Sequence, residues 1–464
     1  MLTPPRFVVL DDKPEHLIPI VEAFKNIGTA CIGIPYNEED GSHLDLDYYR
    51  GVRGFFIDLH LSGGSSIGSN FHYAEIVNIL ERVITLNNGP FIMVLWSEND
   101  QECNDLTQYI EERLAEDKKY CKPLLIKSLS KTDYICFNPS EPDFGNIKSE
   151  KREEFKIKIK EFFTSIPQIA ALFDWESKVL EAVNQTLIEL MNLVPSDKRN
   201  FSDYPEEIDK VLSCITRDTV GRSHVSTDPK KAFNLAIAPI LVDKVLNNQT
   251  TSDNIQLWND AITQVNSATI SDVKSIGKFN KMLHLAVTGH ETMGAYDWGA
   301  VVEIPSQIFT DDYCRENLGL SSKKELGKQI FGFRDLEGLK PILVRIGASC
   351  DYAQNKKGPI SYIFGYIVSH TKYNCRQDDF DNPAEKSFNK RLSDWSSPLF
   401  YYEGAGSPFY IVLNLQLVIT TVKDKLAGYE TLYRIREQLL NQIILRTTTF
   451  ASRPGITELY VPRS

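Results

Sequence analysis

A doubly wound α/β domain with a parallel sheet is predicted for residues 1–137, a helical region for 150–290 and a mixed α+β domain for 291–464. Three observations predict it. Four short apolar runs, FVVL (7–10), GFFIDL (54–59), FIMVLW (91–96) and PLLIK (123–127), are near-continuously hydrophobic, as strands covered on both faces must be. Helix-like stretches alternate with them, which a parallel sheet needs for its crossovers. From about residue 298 the texture turns to longer strand signals without such alternation.

Each element follows in chain order. A weaker run, ACIGI (30–34), supplies a fifth strand to the first domain. The intervening helices are PEHLIPIVEAFKNIG, NFHYAEIVNILERVITLN and CNDLTQYIEERLAED. Residues 138–150, NPSEPDFGNIKSE, are polar and turn-rich and read as a linker. Helical spacing then recurs in KREEFKIKIKEFFTSI, WESKVLEAVNQTLIELMNLV, FNLAIAPILVDKVLNN and SDNIQLWNDAITQVNSA. The later strands are AVVEIP, PILVRIGAS, ISYIFGYIVSH and FYIVLNLQLVITTV. An amphipathic helix, ETLYRIREQLLNQIILRTTTFA, closes the pattern before Arg453-Pro454-Gly455.

Composition narrows the function classes. With 42% apolar and 24% charged residues the chain has ordinary globular material, and 464 residues call for more than one core. A formal charge of −11 argues against a general nucleic-acid-binding field. No apolar run is long enough to span a bilayer, and the N-terminus starts a strand at once, so a cytoplasmic protein with no membrane partner is expected. The eight cysteines are scattered without a C-x-x-C pair and read as reduced thiols.

In an open parallel sheet, functional groups gather beyond the carboxyl ends of the strands. There FVVL meets Asp11-Asp12, GFFI meets Asp58, FIMVLW meets Ser97, and PLLI meets Lys127. Three converging carboxylates repel one another unless a cation sits among them, and an all-oxygen set suits Mg²⁺. A lysine and a hydroxyl on the same edge add binding groups for phosphoryl oxygens, beside a carboxylate nucleophile.

This order of strand ends resembles the response-regulator receiver family over residues 5–135, which implies a flavodoxin-like fold. By that resemblance Asp11, Asp12 and Asp58 hold Mg²⁺ with the backbone carbonyl of His60. Asp58 is the phosphoacceptor, Ser97 the switch hydroxyl and Lys127 the phosphate-pairing lysine. Three positions depart from the family: Ser128 where proline usually follows the lysine, Glu98 where a small residue follows the hydroxyl, and the long LSGGSSIGSN stretch after Asp58. The implied partner is a sensor histidine kinase, the protein itself being a phosphoacceptor and not an enzyme.

Downstream there is no P-loop, G-x-S-x-G, H-E-x-x-H or basic helix pair. The most distinctive string is Ala348-Ser349-Cys350-Asp351-Tyr352-Ala353-Gln354, which resembles an SCD-x-AQ signature of bacterial proteins in phage-defence neighbourhoods. The whole architecture resembles the receiver-bearing accessory proteins of bacterial Detocs antiphage systems, implying a phosphate sink alongside a second, effector response regulator. Two other classes stay open. One is a phosphorylation-controlled effector using Cys350 and Asp351, with His284, His290, His370 or Cys375 as partners; the other is a phosphorylation-independent scaffold. A Cys-Asp pair is more often a buried thiol beside a turn-forming aspartate. Arg434, Arg436 and Arg446 are read as a solvated face of the closing helix, with Arg453 just beyond.

Overall fold

The computed structural model describes residues 6–37, 44, 49–62, 69–97, 102–247, 252–287, 293–333, 335–353, 358–374 and 393–452. The chain divides into two compact units: Met1–Lys178 with Gln249–Thr263, and Val179–Asn248 with Gln264–Ser464.

The first unit is built on β1 (Phe7–Asp11), α1 (Pro14–Ile27), β2 (Cys31–Pro35), β3 (Gly54–Ile57), α2 (Ser69–Val83), β4 (Ile92–Ser97), α3 (Cys103–Arg113) and β5 (Leu125–Ser130). The strands pair in parallel in the order β2-β1-β3-β4-β5, that of flavodoxin-like sheets. Alternate residues of each strand feed opposite faces. Val8, Leu10, Phe55, Ile57, Met93 and Leu95 pack against α2 and α3 through Ile76, Leu80, Leu106 and Ile110. Val9, Phe56, Val94 and Trp96 pack on the other face against Leu17, Ile20 and Phe24 of α1. α1 stops at Gly28, whose φ of 83° is the left-handed cap that a glycine takes without strain. Among the described residues no α-helix joins β2 to β3, although the βα alternation calls for one.

This unit does not end at residue 137. After a short turn, α4 (Lys131–Tyr134), Ile135 and Cys136 form bridges with Ile147 and Phe144, so residues 138–150 fold back and are not a linker. α5 (Arg152–Thr164) then lays Phe155, Ile159 and Phe162 onto the α1 face of the sheet. Its apolar positions recur at three- and four-residue spacing, which identifies a helix; what that helix covers is decided by the open sheet face.

The expected helical region is divided between the units. α6 (Pro167–Asn192) crosses the boundary, and α10 (Ser252–Ala261) belongs to the first unit. α7 (Tyr204–Val220), α8 (Arg222–Thr227), α9 (Pro229–Leu246) and α11 (Val273–His284) belong to the second. The second unit carries an antiparallel sheet of β6 (Leu285–Val287), β7 (Ala300–Glu303), β8 (Lys340–Arg345), β9 (Ile360–Ser369), β10 (Asp394–Ser396), β11 (Phe409–Thr421) and β12 (Glu430–Ile435). Its order is β10-β11-β9-β8-β7-β12-β6. One face packs on α16 (Glu437–Ser452) through Leu439, Leu440 and Ile443. The other face packs Val302, Phe364 and Tyr366 with Phe309, Cys314 of α12 (Asp311–Leu318) and Phe331, which follows the helical run begun by α13 (Lys323–Glu325). α14 (Ser349–Ala353) and α15 (His370–Asn374) are single turns at strand ends.

The closing amphipathic helix therefore begins seven residues later than its periodicity indicates: Arg434 lies in β12, paired with Ala286 and Ala300. In ETLYRI, Tyr433 and Ile435 alternate into the core, a two-residue period that a helical reading of the longer run conceals. The β9–β11 pairing imposes its own constraint at Gly365, opposite Leu413. A Cβ there collides with the Val412 carbonyl oxygen and the Leu413 side chain. Gly365→Ala is expected to cost about 3 kcal/mol, the upper part of the overpacking range, read as a lower urea midpoint.

Candidate metal and phosphoacceptor site

The strand order reverses direction at β1: its chain neighbour β2 lies on one side and β3 on the other. Such a switch point opens a crevice at the carboxyl ends of the two strands. Leu10 pairs with Ile57, so Asp11 and Asp58 emerge side by side, and the Asp58 N–H donates to the Leu10 carbonyl at 3.0 Å. Asp11, Asp12 and Asp58 offer carboxylate oxygens within 4.8 Å of one another, and among the described residues they are the group of this kind that can hold a metal ion.

Asp11 and Asp58 are almost wholly buried, at 0% and 6% exposure. The cation between them is Lys131, 1% exposed, whose Nζ lies 2.6 Å from Asp11 Oδ2 and 2.8 Å from Asp58 Oδ2. Its third neighbour is Nδ1 of His16 at 3.1 Å. The same Nδ1 lies 3.6 Å from Asp11 Oδ1. Backbone donors complete the set: Lys13 N–H to Asp11 Oδ1 at 3.0 Å, and Leu59 N–H to Asp58 Oδ1 at 2.8 Å.

The lysine is a correction to the sequence reading. Lys127 sits in the middle of β5, paired with Val94, three residues short of the carboxyl end. Ser97 pairs with Ser130, so the residue that steps off the strand beside the carboxylates is Lys131. Edge strand β5 has one neighbour and tolerates polar residues along its length, so its first charge does not mark its end. The residue after the site lysine is accordingly Thr132, and Ser128 lies within the strand.

Ser97 ends β4 at 1% exposure, on the far side of β3 from β1. His60 follows Asp58 by two residues, its ring 4.4 Å from that of buried His72. Sequence reasoning missed His16, whose place in the first turn and a half of α1 gives it no motif of its own. Glu98 and residues 63–68 of the Gly/Ser stretch lie outside the described residues.

Electrostatics separate the adjacent aspartates. Burial works against ionised Asp11, but the His16 contact, the Lys131 charge and hydrogen bond, and the Lys13 N–H together hold its carboxyl below the usual range. Burial pushes Asp12 the other way, reinforced by the charges of Asp11 and Asp58. Asp12 Oδ1 is hidden from solvent with no hydrogen-bond donor among the described residues. Three carboxylates around the one ammonium leave negative charge in excess and an oxygen without a donor among the described residues. An all-oxygen set of this charge fits a hard divalent cation such as Mg²⁺.

Of the downstream candidates, His284 ends α11, His370 begins α15 against the Tyr410 ring, and Asp351 is exposed on α14. The Cys350 side chain, His290, Cys375 and Arg453 lie outside the described residues. Among the described residues no helix is long and apolar enough to cross a membrane. No protein-family model, curated protein or solved structure matches the chain.

Proposed function

We propose that the first unit is a receiver that accepts a phosphoryl group on Asp58 from the phosphohistidine of a sensor kinase. The observation that carries this reading is the Asp11–Lys131–Asp58 bridge at the sheet's switch point, with Asp12 beside it and Ser97 on the next strand end. In the transfer an Asp58 carboxylate oxygen attacks phosphorus, the P–N bond breaks, and the departing imidazole keeps the electron pair and takes up a proton. Lys131 exchanges part of its bridge for a phosphoryl oxygen, and the Ser97 hydroxyl donates to another. The Leu59 N–H keeps the Asp58 carboxylate oriented. Asp11, Asp12 and Asp58 would hold Mg²⁺, which would supply neutralisation of the charge developing on the transferring group.

The role that fits the whole-chain resemblance is a phosphate buffer in an antiphage two-component pathway, drawing phosphoryl groups from a kinase that also serves an effector regulator. Phosphotransfer from the cognate kinase to wild type and Asp58→Asn, with Mg²⁺ and in EDTA, tests the chemistry. Label on the wild type alone, and only with Mg²⁺, is expected; equal labelling of Asp58→Asn refutes the site. Co-expression with an active kinase and its toxic effector tests the role. Relief of toxicity that requires Asp58 is expected, and toxicity of the protein expressed with kinase alone makes it an effector instead.

A further inference from the structure

The second unit buries a cation two of whose N–H groups find no acceptor among the described residues. Arg345 ends β8 opposite Tyr362 of β9 and is 8% exposed. Its Nε and Nη1 are both closed to solvent, and neither has a hydrogen-bond acceptor among the described residues. A guanidinium cannot shed its charge, and its N–H groups form a rigid fork matched to the oxygens of an anion. Buried ionic donors ordinarily have acceptors, so an orphaned pair marks a missing partner.

A second cation reaches the same place. Lys231 of α9 puts Nζ 2.6 Å from the Tyr352 hydroxyl oxygen and 4.7 Å from the ring centroid, while Arg345 Cζ lies 5.0 Å from the centroid of that ring. The Tyr352 hydroxyl donates to Asp297 Oδ1 at 2.8 Å, and Asp297 Oδ2 accepts the Gly294 N–H at 2.7 Å. Asp297 is therefore occupied on both oxygens and stands 3.9 Å from Lys231. The charges of Asp228 and Asp351 also act on the two cations, yet none of these carboxylates accepts from Arg345 Nε or Nη1. Lys231 is 40% exposed, which opens the cluster to solvent on that side. Tyr352 belongs to the Ala348–Gln354 string, the most distinctive motif outside the receiver, which the phosphoacceptor chemistry does not use.

The geometry points to a site for a phosphate-bearing small molecule in the second unit, with Arg345 gripping phosphate oxygens and Lys231 supplying the second positive charge. Phosphate is favoured over carboxylate because a dianion meets both cations, whereas a carboxylate answers one. Tyr352 is a positioning residue, holding Lys231 through its hydroxyl and both cations through its ring.

Calorimetric titration of the full-length Asp58→Asn protein in EDTA keeps the acidic pocket out of the measurement. The probes are inorganic phosphate, pyrophosphate and glycerol phosphate, with acetate as the carboxylate control. Saturable binding of at least one phosphate probe, and acetate at least about tenfold weaker, is expected. Comparing the ester with the inorganic ions separates a phosphorylated metabolite from free phosphate or pyrophosphate as the natural ligand. Lys231→Gln, at a half-exposed position that tolerates change, is expected to weaken binding about tenfold, and Arg345→Gln to abolish it. No saturable binding of any phosphate probe up to about 10 mM overturns the site, as does affinity unchanged in Lys231→Gln. Acetate binding as tightly as phosphate overturns the ligand class.

Discussion

Replacing Lys131 with methionine is expected to slow phosphoryl uptake by Asp58 about 100- to 1,000-fold, while Lys127→Met leaves it within a factor of about two. The difference follows from where the two ammonium groups sit. Lys131 is 1% exposed and bridges both buried carboxylates, so its loss strands Asp11 and Asp58 without a counter-charge and removes the cation available to a phosphoryl oxygen. Removing one preorganised group that meets developing charge costs about 100- to 1,000-fold in rate, and truncating one member of a buried ion pair separately costs about 3–5 kcal/mol of folding stability. Lys127 is partly exposed in mid-strand and reaches neither role. Quench-flow labelling from a phosphorylated kinase measures the rates, and urea unfolding in EDTA measures the accompanying loss of stability. Equal rates in the two variants would remove Lys131 from the site.

The same two lysines mark how far the site is legible in the sequence. Asp11, Asp12, Asp58 and Ser97 are found because β1, β3 and β4 are covered on both faces, so their apolar runs end where the chain leaves the sheet. β5 is an edge strand, and LIKSLS carries a lysine and two serines inside it. Its end is fixed by pairing with β4, a long-range fact that no local pattern records. His16 escapes for a related reason: a histidine on an amphipathic helix resembles any buried polar residue until the fold sets it beside Lys131. α5 reads correctly as a helix yet is assigned to the wrong body, because periodicity reports which face is apolar and not what covers it. In the second unit, PILVRIGAS and ISYIFGYIVSH announce β8 and β9, but the meeting of Arg345, Lys231 and Tyr352 joins residues 121 positions apart in the chain.

Divalent-cation affinity at the acidic pocket is expected to rise with pH from the ordinary carboxylate range up to the elevated pKa of Asp12, and Asp12→Asn is expected to flatten that slope. Asp12 is pushed up by burial and by the charges of Asp11 and Asp58, so in this window it retains a proton that an incoming cation must displace. Asp11 does not share the dependence: its carboxyl is held below the usual range and is already ionised there. The stability signs follow from the same directions. Asp11 contributes stability that is present above the unfolded carboxylate pKa and lost as pH falls through its lowered folded value. Asp12 does the reverse, its ionisation destabilising the cation-free protein above its folded pKa and its protonation relieving that repulsion below. Asp12→Asn should therefore raise the melting temperature in EDTA at neutral pH while weakening Mg²⁺ binding about tenfold or more. Titrations of Mg²⁺ and Mn²⁺ across the window, with melting curves in EDTA, measure both effects. A wild-type affinity independent of pH, or a variant with the wild-type slope, would show that Asp12 does not ligate the cation.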